Sequence, residues 1–131
     1  MLKLSITANP KVPRRLSKAA VKLSPNLSVA IEDVGKILVK EMKRNVSGKV
    51  LNKRSGALFN SIDAEVRTRK GSYSVSIIPD VPYAAIHEKG GRTGRGHKTR
   101  IPKRSYMKKA LDDKRNEVIK IIRRFTSKAF R

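Results

Sequence analysis

The sequence predicts an α+β fold: a small antiparallel sheet with a β-hairpin packed on a long helix of the N-terminal half, plus a C-terminal helix and an extended basic loop. Three observations predict it. Apolar residues recur at helical period from Leu27 to Met42, alternation at period two runs from Ile62 to Ile77, and helical period returns from Ser105 to Phe125. At 131 residues and 38% hydrophobic content the chain suits one domain, 1–131, with one modest core.

In chain order, Leu2, Leu4 and Ile6 alternate as in a half-buried strand, which Asn9-Pro10 and Pro13 break. Arg14 to Leu23 carries Leu16, Ala19, Ala20 and Leu23 at spacings of three and four, predicting a short amphipathic helix. Ser24-Pro25 has the form of an N-cap followed by proline at the first helical position, where its missing N–H costs nothing. The long helix that it should open buries Ala30, Ile31, Val34, Ile37, Leu38 and Met42 and ends at Asn45 to Gly48. Lys49 to Gly56 lacks periodicity and reads as a polar, mobile connection closed by Ser55-Gly56.

Ile62, Ala64 and Val66, then Tyr73, Val75 and Ile77, alternate with polar residues on either side of Arg69-Lys70-Gly71, a hairpin signature. Ile62, Val66, Val75 and Ile77 should face the long helix. Pro79 and Pro82 end the second strand, and Tyr83 to Glu88 can form one helical turn stopped by Gly90-Gly91. Residues 89–104 follow, with Lys89, Arg92, Arg95, Lys98, Arg100, Lys103 and Arg104, four glycines and no acid. So little apolar surface predicts an exposed loop ordered only by a partner. The last helix carries Met107, Ala110, Leu111, Val118, Ile121, Ile122 and Phe125 on one stripe.

Charge narrows the function. With 32 Lys and Arg against 10 Asp and Glu, the net charge is +22, and self-repulsion on that scale favours a polyanionic or acidic partner. Nucleic acid is the first to consider. The absence of cysteine excludes a disulfide framework and thiolate metal sites, and suits a reducing cytoplasm. No apolar run is long enough to imply export or a membrane anchor.

Arg92, Arg95, His97, Lys98 and Arg100 are the candidate polyanion- or partner-binding residues, because guanidinium groups pair bidentately with phosphate or carboxylate. No aromatic residue between Lys89 and Arg104 is present to stack on bases, so phosphate contact without base reading is expected. Enzyme motifs fail on spacing. Gly91 to Thr99 has the glycines of a phosphate-binding loop, but His97 separates the last glycine from Lys98 and Pro102 follows where a helix should start. His87-Glu88 lacks a second histidine four residues on, and Ser55 has no evident base. Asp63, Glu65, Asp80 and Glu88 are too dispersed for a metal-dependent nuclease. A freestanding basic protein that neutralises phosphates without reading bases stands as the rival to a structural role.

Ser55-Gly56-Ala57-Leu58-Phe59-Asn60-Ser61-Ile62, then Val81-Pro82-Tyr83-Ala84-Ala85-Ile86-His87-Glu88-Lys89-Gly90-Gly91, then Ile101-Pro102-Lys103-Arg104-Ser105-Tyr106-Met107 resemble, in that order, the neck and tail-completion proteins of long-tailed bacteriophages. Relatives include the virion morphogenesis proteins of Mu-like phages. The chain departs from the pattern at Ser105 and Met107, where proline and leucine are frequent, and its loop is more basic. The resemblance implies a structural protein that joins head and tail, with no catalytic residue, cofactor or metal. It implies a homo-oligomeric ring around the DNA channel, sixfold by likeness, between the head-side connector and the tail terminator or tube. Such a protein resides at the neck or tail end of the virion and in the host cytoplasm during assembly. Gly56, Leu58, Ser61, Tyr83, Ala84, Glu88, Gly90, Pro102 and Arg104 are the motif positions to which it assigns structural or interface roles. It also suggests that Glu88 and Arg104 pair across the base of the loop, within one subunit or between two.

Overall fold

A computed structural model describes residues 17–50, 56–69 and 72–127, and its centre is one long helix, α1, Ser17–Arg44. The expected start at Ser24-Pro25 is not a boundary: the helix runs through it. In the sequence Ala19, Ala20 and Leu23 are in phase with Leu27, Ala30 and Ile31, which suits one continuous helix, although Pro25 has no N–H for the carbonyl four residues back. The expected strand Leu2 to Thr7, the connection 51–55, the turn at Lys70-Gly71 and the last four residues lie outside the described residues.

The helix ends in a π-type turn, Asn45–Lys49, in which Ser47 and Gly48 leave helical geometry. Here the expected mobile connection is corrected at its start, since Lys49 is ion-paired and Val50 packs on the core. A short helix α2, Ala57–Ser61, follows, with Gly56 at its N-cap in the left-handed region at φ 79°. The first hairpin pairs β1, Ala64–Arg69, with β2, Ser72–Ile77, in antiparallel register that sets Val66 opposite Val75 and Ala64 opposite Ile77. Its inward face is the expected one. Ile62, Val75 and Ile77 are buried, and Val66 packs half-buried beside them.

α1 packs against both this hairpin and the final helix α4, Tyr106–Ser127. Val34, Leu38 and Met42, with Tyr73, Val75, Tyr106, Met107 and Ala110, form one core cluster. Ile37, expected in the stripe, is half-buried at its margin, because the buried face is centred on Val34, Leu38 and Met42. At Gly35 the sheet comes so close that an added Cβ would lie 3.1 Å from Val75 Cγ2 and 3.2 Å from the Ala64 Cβ.

Between the first hairpin and α4 in the chain come α3, Ala84–Lys89, and a second antiparallel hairpin, β3, Gly91–Thr93, and β4, Thr99–Ile101. The extended loop expected at 89–104 is therefore a β-hairpin. Its backbone groups satisfy one another in a ladder, so local order does not wait for a partner, although every residue from Gly91 to Arg100 is exposed.

Candidate functional site

The second hairpin is held out from the body by its base. Glu88, on α3, is only 4% exposed, and its carboxylate accepts the N–H of Met107 at 2.9 Å and of Lys108 at 3.1 Å. Those are orphan donors of the first turn of α4, a turn with no acid of its own, so a side chain from another element supplies the missing cap and negative charge. Ser105 Oγ donates to the Glu88 carbonyl at 3.1 Å, and the Arg104 N–H donates to the His87 carbonyl at 2.8 Å. Tyr106 is fully buried, donates its hydroxyl to the Ala84 carbonyl at 3.3 Å, and accepts Asn45 Nδ2 on its own carbonyl at 2.8 Å. Burial first, and the Glu88 charge second, push its phenol pKa strongly upward.

Gly90 ends α3 at φ 72°, and an added Cβ there would meet the Lys103 backbone nitrogen at 2.9 Å. Only glycine fits where the two strands of the hairpin leave the body this close together. Within the chain the Glu88–Arg104 pair does not form. Among the described residues no ion pair joins them, because Glu88 is turned onto α4 while the Arg104 side chain is exposed and its N–H serves the hairpin base.

The five candidate binding residues come together on this hairpin. Arg92 and Arg100 are direct cross-strand partners, and Arg95, His97 and Lys98 form the exposed tip, with His97 at φ 53°. Opposed arginines repel, so the hairpin carries a charge arrangement that an anion would relieve. The motif positions do not form one surface. Gly56, Leu58 and Ser61 belong to α2, where Ser61 Oγ donates to the Leu58 carbonyl at 2.8 Å and Leu58 packs on the core. Ala84, Glu88 and Gly90 are structural at the hairpin base; Pro102 is exposed there, and Tyr83 is 38% exposed with its ring edge-to-face on His87.

Two features escaped the sequence reading. Lys49 Nζ bridges Glu41 at 2.7 Å and Asp113 at 3.0 Å, tying α1, the π-type turn and α4 together. The Lys49 hydrogen bond, ahead of the neighbouring cations, holds the Glu41 pKa below its ordinary range, and a second hydrogen bond from Lys49 lowers Asp113. Glu41 stands three residues after Leu38 and seven after Val34, on the apolar face, which was the available signal. The other feature is an apolar depression bordered by Ile78, Val81, Pro82 and Met107, with Ile78 41% exposed.

Among the described residues no cluster of His, Asp and Glu is arranged to hold a metal ion, and no helix is long and apolar enough to cross a membrane. The profile of the phage virion morphogenesis family matches residues 35–126. No curated protein and no solved structure matches the chain.

Proposed function

The chain belongs to the phage virion morphogenesis family, and from that premise we propose that it is a non-enzymatic joining protein of the neck or tail-completion layer, assembled as a homo-oligomeric ring on the tail axis. The observation that carries this reading is the acid-free hairpin, Gly91 to Ile101, projecting from a small braced body. A projecting element with a rigid base suits docking to a neighbour, and a cationic face suits a channel through which DNA passes. The carboxylates have structural employment: Glu41, Asp112, Asp113 and Glu117 are ion-paired and Glu88 caps α4. That use supports a structural protein over an enzyme. Its partners are the head-side connector and the tail terminator or tube, and its place is the virion.

Negative-stain electron microscopy of the purified protein, alone and with heads and tails lacking it, tests the reading. Rings that restore joined particles are the expected result. Monomers that bind duplex DNA but never restore joining would overturn it in favour of a freestanding nucleic-acid-binding protein.

A further inference from the structure

Beside the hairpin base, and apart from its cationic tip, a cavity of about 250 Å³ opens against α4. Its deep wall is apolar: Met42 and Met107 are buried and Leu111 is half-buried. Its mouth carries Lys89, Lys103 and Lys108, all exposed. Lys89 and Lys103 also border a shallower depression that continues to Arg92 and Arg100 on the hairpin. Two acids lie nearby. Glu88 lines the cavity, but both its oxygens are occupied by N–H groups of α4, and Asp112, outside the lining, pairs with Lys108 at 3.0 Å.

An apolar floor beneath a cationic mouth selects between polyanions. A DNA backbone would meet the lysines but has no side chain to lower into the cavity, so the methionine floor would gain nothing from it. At about 250 Å³ the cavity has room for one large apolar side chain. Methionine walls adapt to such a guest because the thioether is flexible and polarizable.

We propose that this end of the protein captures an acidic segment of a partner protein, seating one aliphatic or aromatic side chain against Leu111, in front of the buried Met42 and Met107. Carboxylates flanking that anchor pair with Lys89, Lys103 and Lys108. The buried anchor supplies most of the affinity and the charged rim steers and orients the segment. The inference names the kind of partner for the hairpin end and goes beyond the ring assembly proposed above, from which it can fail separately.

Fluorescence anisotropy tests it with a short labelled peptide of Asp and Glu around one central Phe, and a twin carrying Ser there. The Phe peptide should bind about tenfold more tightly than its twin at physiological salt. Leu111→Gln should erase that preference while leaving the Ser peptide unchanged. Lys89→Glu with Lys103→Glu should weaken both peptides, whereas Arg95→Gln with Lys98→Gln at the tip should leave the preference intact. Circular dichroism melts of each variant, together with the Lys89→Gln, Lys103→Gln pair, separate lost binding from lost fold. Equal binding of the two peptides, or loss of duplex DNA affinity alone in the lysine variants, would overturn the proposal. Rings in the microscope without any Phe preference would do so too, and would leave the joining role standing.

Discussion

Glu88 is a buried carboxylate whose two oxygens each take one N–H from the start of α4. Replacing it with alanine should cost about 1–2 kcal/mol, the usual worth of a helix cap, and Glu88→Gln should recover part of this by keeping one carbonyl acceptor. Chemical denaturation measures both, and parent-like midpoints would refute the capping role. Gly90→Ala adds a Cβ at 2.9 Å from the Lys103 nitrogen in a backbone conformation with φ 72°, and should destabilise by about 1–3 kcal/mol. The Lys49 cluster makes a pH prediction. Glu41 and Asp113 have depressed values, so their contribution is complete above the ordinary values of 4.5 and 3.8 and is lost as pH falls through the lowered ones. Lys49 is raised by its bond to Glu41, so its contribution holds below the ordinary 10.5 and fades only at higher pH. Thermal melts should therefore decline on the acid side more steeply for the parent than for Lys49→Met.

At the scale of elements, α1 is the piece on which the others pack. Leu38→Asp would set an unpaired charge in the core cluster and should cost on the order of 3 kcal/mol or more, seen as a lost or much lowered melting transition. Gly35→Leu should overpack the closest approach of helix and sheet, costing about 1–3 kcal/mol. The hairpin β3–β4 should behave oppositely. Changing Arg92, Arg95, Lys98 and Arg100 to glutamine removes only exposed charge, so stability should stay within about 0.5 kcal/mol while the salt dependence of polyanion binding flattens. The contrast explains what could be read in advance. Alternation from Ile62 to Ile77 and the stripes of α1 and α4 were legible because burial on one face imposes a period on sequence. The second hairpin was not, since all its residues from Gly91 to Arg100 face water and backbone pairing leaves no hydrophobic pattern. The role of Glu88 was equally hidden: its partners are backbone N–H groups, which any residues but proline at positions 107 and 108 would present.

For the whole molecule, the distribution of charge matters more than its sum. Several acids are taken up by nearby cations, and none lies between Lys89 and Leu111, so the second hairpin and the segment leading into α4 carry only positive side-chain charge. Adding duplex DNA or polyphosphate should raise the melting temperature, more at low salt than at high; an unchanged melt at low salt would place the stabilising partner elsewhere. α4 starts at the end of α1, where Asn45 meets Tyr106, and packs back along it, so the two helices run antiparallel.

That closure joins residues 61 positions apart. A ribosome adding about 5–20 residues per second needs roughly 3–12 s to make the interval, and for that time Leu38 and Met42 have no α4 to pack against. The nascent chain thus passes through a sticky stage of its own biosynthesis. A chain terminated just before Tyr106 would be arrested at that stage; it should bind the dye ANS and partition into the pellet on expression, and a soluble, dye-silent fragment would show that α4 is dispensable for sheltering α1.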